Sequence, residues 1–181
     1  MPTHKACLVR RLLVKPSCGR LTNATVAWIP HQPVDEPTSA LAVLAGRLAE
    51  DLEKYDVELH SDNEPPENLR GSELVIIGAH GGLAEDGQYF RVVADDAGAS
   101  VTAARLSKVL ADVGVVVLFV CSGGRIDSYP GANTTVGLAK QLLNNGCRAV
   151  VAPAWPLSVQ VPSKSLPAFL RYPSDGGRGL I

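Results

Sequence analysis

Two almost uninterrupted apolar runs constrain the possible folds of this chain more than any other feature of its sequence. Residues 73–79 and 115–120 are apolar at every position except Glu73. A strand with one face in water alternates apolar and polar residues, whereas a strand covered on both faces is apolar throughout. We therefore predict two buried strands in a sheet that has helices on both faces.

Helical segments alternate with strand-like segments along the chain. Apolar residues at three- and four-residue spacing predict helices over 38–54, over 100–112 with Gly114 as the stop, and from about 133 to Gly146. Further strands are predicted over 23–29, 55–59 and 148–152. Strands that alternate with helices are joined by crossovers and pair in parallel. The sequence predicts an α/β fold with a mostly parallel central sheet.

Glycines follow the first apolar run and predict a change of direction there. His80 is followed by Gly81 and Gly82, which we interpret as a turn. The Asp86-Gly87 step then precedes an alternating stretch over 88–93, which is typical of a tight turn that leads into a small β-hairpin.

Composition excludes several classes of protein. Of the 181 residues, 46% are hydrophobic and 19% charged, which suits a folded domain, and the net charge of −1 offers nothing to attract nucleic acid. No apolar run reaches the roughly 18 residues of a membrane-spanning helix, so no membrane partner is expected. The four cysteines form no CxxC pair, which favours free thiols in a reducing, cytoplasmic setting.

Reactive side chains follow both apolar runs. His80 comes directly after residues 73–79, and Cys121 comes directly after residues 115–120. Because functional groups in parallel sheets sit beyond the carboxyl ends of the strands, neighbouring strands would bring this imidazole and thiol together. Imidazole can take the proton of a thiol and so produce the nucleophilic thiolate. The backbone N–H groups of Gly81 and Cys121 are candidates for an oxyanion hole.

Structural roles are the competing interpretation of the same residue types. A single cysteine after a strand is commonly a small buried hydrophobe, and a single histidine there is commonly a hydrogen-bonded structural residue. Cys147 is predicted to pack in the core. Asp127 is either a solvated loop charge or part of a pocket for a basic side chain, and Trp155 is either core or pocket wall. The histidines show no metal-ligand spacing, and neither metal nor cofactor is expected.

Several of these motifs, in this order, resemble the CHAT domain, a caspase- and separase-related family of cysteine peptidases. The motifs are the strand that ends in His80-Gly81, the Asp86-Gly87 hairpin, Cys121-Ser122-Gly123-Gly124, the helix with Gly137-Leu138-Ala139, and the closing stretch from Cys147 to Pro156. The likeness covers residues 21–170. Residues 1–20 then form an N-terminal extension that could supply an edge strand, and residues 171–181 form a flexible tail.

The resemblance implies a caspase-like three-layer sandwich with a mostly parallel sheet and a small hairpin after the His-bearing strand. It also implies a peptidase with His80 as base, Cys121 as nucleophile and Gly81 as an oxyanion donor. The substrate would be a protein or peptide, and separase-like relatives cleave after basic residues. We expect the substrate to contact residues around the nucleophile and the last strand, namely Ser122, Gly123, Asp127 and Trp155.

Three departures from the family keep a second function open. Ser122 stands where CHAT domains often have an acidic residue. The helical TPR-like repeats that accompany the family are missing, so a regulatory partner would be a separate protein. The Gly- and Pro-rich tail is not expected to supply a further strand, which suggests a fragment, a truncated product or an inactive relative. The alternative is a non-catalytic interaction module that kept the fold.

Other cysteine-dependent hydrolases fit less well. In glutamine amidotransferases the nucleophilic cysteine precedes its histidine, whereas His80 precedes Cys121 here. The spacing from Cys121 to Arg125 is too short for a Cys-x5-Arg phosphatase loop.

Overall fold

The computed structural model describes residues 22–30, 40–55, 57–62, 64–83, 90–93, 100–124, 127–128, 135–154, 156–157, 165–166 and 170. The described strands are β1 (Thr22–Trp28), β2 (Glu58–His60), β3 (Ser72–Leu83), β4 (Phe90–Val93), β5 (Ser100–Thr102), β6 (Val115–Val120), β7 (Asp127–Ser128), β8 (Thr135–Val136) and β9 (Ala149–Val151). The described helices are α1 (Ala40–Glu53), α2 (Ala103–Val109) and α3 (Leu138–Asn144).

A parallel sheet in the order β2-β1-β3-β6-β9 forms the centre of the fold. The two apolar runs of the sequence are its third and fourth strands, and they pair directly from Leu74 opposite Val115 to Ala79 opposite Val120. The predicted α/β class with a mostly parallel sheet is therefore confirmed.

Helices cover this sheet on both faces. Successive side chains of a strand point to opposite faces, so Ile76 and Ile77 of β3 enter different hydrophobic clusters. Ile76 packs in the cluster that contains Leu48 of α1, which we call the α1 face. Ile77 packs in the cluster that contains Leu106 of α2 and Leu142 of α3, which we call the α2/α3 face. Each such buried side chain contributes about 1.5–3 kcal/mol to folding.

β3 continues beyond the parallel sheet, contrary to the predicted turn. Its last four residues, from His80 to Leu83, pair antiparallel with β4, and β4 pairs antiparallel with β5. Gly81 and Gly82 therefore lie in a strand, because glycine adopts extended backbone as readily as turn conformations once a partner strand is present. The Asp86-Gly87 connection lies outside the described residues.

The second helix is shorter than the sequence pattern predicts. Its first predicted turn is instead β5, and Thr102 caps the helix by accepting a hydrogen bond on Oγ1 from Arg105 N at 3.2 Å. The left-handed residue after the helix is Asp112, with φ 62°, whereas the predicted stop was Gly114. Short polar side chains such as aspartate tolerate this conformation, which is why the glycine was not needed there.

The third helix begins later than predicted and ends where expected. Thr135 and Val136 form β8, and the helix starts at Leu138 after Gly137. Gly146 adopts φ 97° just beyond the helix, as its sequence position predicts. The proposed caps at 133 and 134 lie outside the described residues.

All described elements fall within residues 21–170. The predicted N-terminal extension, residues 1–20, and the predicted tail, residues 171–181, lie outside the described part of the chain. Among the described helices, none has the length and apolarity to cross a bilayer.

Candidate functional site

The neighbouring strands β3 and β6 place His80 and Cys121 at the same edge of the sheet. Ala79 is paired with Val120, so His80 directly follows one member of this pair and Cys121 directly follows the other. Adjacent strands are about 4.8 Å apart, which puts the two backbone segments side by side at the carboxyl end of the sheet. The strand order thus supplies the adjacency on which the predicted dyad depends.

The alternation of β3 assigns His80 to the α1 face. Ala79 belongs to the hydrophobic cluster of the α2/α3 face, and the following residue of a strand points to the other side. Gly78, which shares the face of His80, lies against α1: a Cβ added there would be 3.3 Å from Leu48 Cδ1. His80 itself is half-buried.

A tight turn after β6 holds Cys121. The N–H of Gly123 donates to the Val120 carbonyl oxygen at 3.0 Å, which makes Cys121 and Ser122 the central residues of a β-turn. Ser122 has φ 57°, the positive value that a type II turn requires at its third position. Gly123 has no room for a side chain without displacement, because an added Cβ would be 3.1 Å from the Val120 oxygen.

The segment after β9 anchors this turn. Gly124 N–H donates to the Pro153 carbonyl oxygen at 2.8 Å, and a Cβ at Gly124 would come within 2.8 Å of the Ala152 oxygen. Backbone packs against backbone here, so residue 124 must be glycine for the two segments to approach so closely. On the other side, the N–H of Ala139 at the start of α3 donates to the Gly123 oxygen at 3.3 Å.

The Cys121 sulfur accepts a hydrogen bond from the backbone N–H of Leu157 at 3.5 Å. The Leu157 side chain packs against the cluster of the α1 face, which is also the face assigned to His80. Within the part of the chain that the structure describes, no hydrogen bond joins the Cys121 sulfur to His80. His80 and Cys121 thus lie at the same edge of the sheet without a direct hydrogen bond between their side chains.

The proposed oxyanion donors occupy different kinds of backbone. Gly81 lies inside β3 and is paired with Val92 of β4, so its N–H belongs to a strand and not to the predicted turn. Cys121 is the first of the two central residues of the β-turn after β6. Their roles as donors remain predictions.

The predicted substrate-contacting residues are only partly described. Ser122 and Gly123 form the turn beside the candidate nucleophile. Asp127 lies in β7, which pairs with β8 in a separate two-stranded ribbon that follows this turn. Trp155 lies outside the described residues, so its predicted position, in the core or in a pocket wall, stays a prediction.

Cys147 packs in the core, as predicted. It is 2% exposed within the cluster of the α2/α3 face, and its thiol donates to the Leu110 carbonyl oxygen at 3.1 Å. Burial raises the pKa of this thiol from 9.0 to about 12, and the negative charge of Asp112 adds to the increase. Cys147 is therefore a protonated, unreactive thiol near neutral pH.

His60 is a further imidazole at the carboxyl end of the sheet. Its Nε2 lies 2.9 Å from Glu58 Oε1, although the angles are not those of a hydrogen bond. It belongs to β2, which is separated from β3 by β1, so it is not a neighbour of Cys121 in the sheet.

Sequence reasoning missed Leu157. Its contribution to the site is a backbone N–H, which every residue except proline carries, so no side-chain pattern could have identified it. Pro153 and Pro156 were the local signals that the backbone there is restricted.

No protein-family model matches the chain, and no curated protein matches it. The fold and the site therefore define a class only: an α/β domain whose mostly parallel sheet carries a histidine and a cysteine at the carboxyl ends of adjacent strands.

Proposed function

We propose that this chain is a cysteine endopeptidase of the caspase-like CHAT type, with Cys121 as nucleophile and His80 as general base. The observation that carries the proposal is the parallel pairing of β3 with β6, in which Ala79 lies opposite Val120. The hairpin strands β4 and β5, which follow the His-bearing strand, and the helices on both faces of the sheet add support from the fold.

In the proposed reaction His80 takes the proton of the Cys121 thiol, and the sulfur attacks the carbonyl carbon of the scissile peptide bond. The oxyanion that forms accepts hydrogen bonds from the N–H groups of Gly81 and Cys121. The imidazolium then gives its proton to the departing amine, which leaves an acyl-enzyme. Water, deprotonated by His80, hydrolyses this thioester and restores the thiol.

The substrate proposed for this site is a protein segment with a basic residue before the cut. Asp127 is the acidic residue closest in sequence to the nucleophile, and a carboxylate is the natural partner of a lysine or arginine side chain. Ser122, Gly123 and Trp155 complete the proposed pocket. A separate helical-repeat protein is the regulatory partner that the CHAT resemblance suggests. A reducing, cytoplasmic setting suits the reaction, since the sulfur must remain unoxidised.

The test is covalent capture by peptidyl electrophiles. A panel of peptidyl acyloxymethyl ketones, identical except for the residue next to the reactive group, is incubated with the purified chain. We expect a thioether at Cys121, fastest with arginine or lysine, and loss of at least about 100-fold in rate for His80→Ala, as is usual for a removed general base. Mass spectrometry of the peptide that contains Cys121 identifies the adduct.

Matched variants separate chemistry from folding. Cys121→Ala should abolish capture while leaving the denaturation midpoint close to that of the parent chain, and Cys18→Ala should leave capture unchanged. Adduct formation in Cys121→Ala, or an adduct-formation rate that His80→Ala leaves unchanged, would contradict the proposed dyad.

A second candidate function is a non-catalytic interaction module that kept the CHAT fold. The observation in its favour is that the Cys121 sulfur bonds to the Leu157 N–H, with no hydrogen bond to His80 among the described residues. This candidate predicts that no member of the ketone panel reacts with Cys121 faster than a simple alkylating agent of the same intrinsic reactivity. A selective reaction with one peptide sequence would rule it out.

A further inference from the structure

The N–H of Leu157 is a hydrogen-bond donor whose position is fixed by contacts other than the one to the Cys121 sulfur. Pro156 precedes it and restricts the backbone, while the Leu157 side chain packs against the cluster of the α1 face. The same segment is tied to the turn at its other end by the bond from Gly124 N–H to the Pro153 oxygen. The donor is thus held by contacts that do not involve the Cys121 sulfur.

Donation to sulfur favours one charge state of the cysteine. A hydrogen bond to an ionised acceptor is stronger than one to the neutral group, so an N–H aimed at sulfur stabilises a thiolate more than a thiol. Because this donor is already in place, no reorganisation is needed when the charge forms. Among the described residues the sulfur receives this hydrogen bond from the backbone, not from an imidazole.

We propose that Leu157 is a positioning residue whose backbone N–H holds the Cys121 sulfur in place and stabilises its thiolate. This inference rests on the proposed function, in which Cys121 is the nucleophile. In this proposal the segment after β9 stabilises the thiolate of Cys121. His80 transfers protons during the reaction.

The test replaces the N–H and keeps the side chain. Residue 157 is incorporated as leucic acid, the α-hydroxy analogue of leucine, so that an ester oxygen stands where the N–H was. Leu157→Pro removes the same N–H by ordinary mutagenesis, and Leu157→Ala is the matched control that keeps the N–H and loses the side chain. The readout is the rate at which iodoacetamide alkylates Cys121 in the full chain between pH 5 and 9, followed by mass spectrometry.

We expect the ester variant to alkylate about three- to tenfold more slowly near pH 7, with its pH–rate profile moved to higher pH, as loss of a hydrogen bond to a charged group implies. Leu157→Ala keeps the N–H but loses the side-chain packing that helps to position it, so this variant should slow alkylation less than the ester variant does. Cys147 reports on folding in the same molecule, since it is buried and should stay unmodified unless the structure opens.

Two results would overturn the inference. An unchanged profile in the ester and proline variants would mean that the N–H does not stabilise the thiolate. Faster alkylation, with Cys147 still protected, would mean that the contact shields the sulfur. The outcome is separable from that of the proposed function: alkylation requires no peptide cleavage, so a shifted profile in a chain that captures no peptidyl ketone would uphold Leu157 and reject the peptidase.

Discussion

At the scale of single residues, the two described cysteines lie in opposite environments. Cys121 is half-buried at the sheet edge and accepts an N–H, whereas Cys147 is 2% exposed and donates to a carbonyl oxygen. The sequence predicted the core position of Cys147 and left Cys121 open between a small buried hydrophobe and a nucleophile. It could not predict the partner atoms, since both are backbone groups of distant residues.

Ser122 is expected to limit stability through its backbone. Its φ of 57° lies in the left-handed region, which costs a non-glycine residue about 1–2 kcal/mol. Ser122→Gly relieves this strain but raises the conformational entropy of the unfolded chain. We therefore expect a net stabilisation below about 1 kcal/mol. Ser122→Val should destabilise by about 1–3 kcal/mol because a branched side chain is least compatible with that region.

Urea denaturation of the two variants beside Ser122→Ala measures these differences. The alanine variant keeps the backbone strain and loses only the hydroxyl, so it should lie near the parent chain. A valine variant as stable as the parent chain would show that Ser122 is not left-handed.

At the scale of elements, the sequence predicted the existence of the strands better than the residues at which they begin and end. The β6 strand was predicted at the residues where it occurs, because six apolar residues between Gly114 and Cys121 permit few alternatives. The extension of β3 was missed, because two consecutive glycines are typical of turns and become strand only through pairing with β4. Pairing is a long-range property that local sequence does not encode.

The helix α2 depends on a cap that replaced its predicted first turn. Thr102 Oγ1 accepts the N–H of Arg105 at 3.2 Å, which satisfies one of the free donors at the start of this helix of 7 residues. We expect Thr102→Ala to lower the free energy of unfolding by about 1 kcal/mol. Thr102→Ser keeps the hydroxyl and should retain most of the stability in the same denaturation experiment. Equal losses in both variants would contradict a capping role.

At the scale of the whole molecule, the buried thiol of Cys147 makes stability depend on alkaline pH. Its folded pKa of about 12 lies above the ordinary 9.0, so folding favours the protonated form. The stabilisation is fully present below pH 9 and is lost as the pH rises toward 12, with a slope of about 1.4 kcal/mol per pH unit.

Denaturation midpoints between pH 8 and 11 test this dependence, and Cys147→Ala is the control because it has no thiol to ionise. The parent chain should lose more stability over this range than the variant. Parallel curves would show that the thiol does not titrate with folding.

The adjacency of the site is also a whole-molecule property. Sequence placed a histidine and a cysteine after two strands, but the order β2-β1-β3-β6-β9 made those strands neighbours. Strand order depends on the crossover connections between segments that are distant in sequence, and no single segment contains that information.

The long strand β3 has a mechanical consequence. It is a member of the parallel sheet up to Ala79 and of the antiparallel ribbon from His80 onward, so His80 stands where two sheets share one backbone. The backbone position of His80 therefore depends on both sheets, whereas the turn that carries Cys121 is held by hydrogen bonds to Pro153 and Ala139. The distance between the proposed base and the proposed nucleophile therefore depends on how the antiparallel ribbon is oriented relative to the parallel sheet.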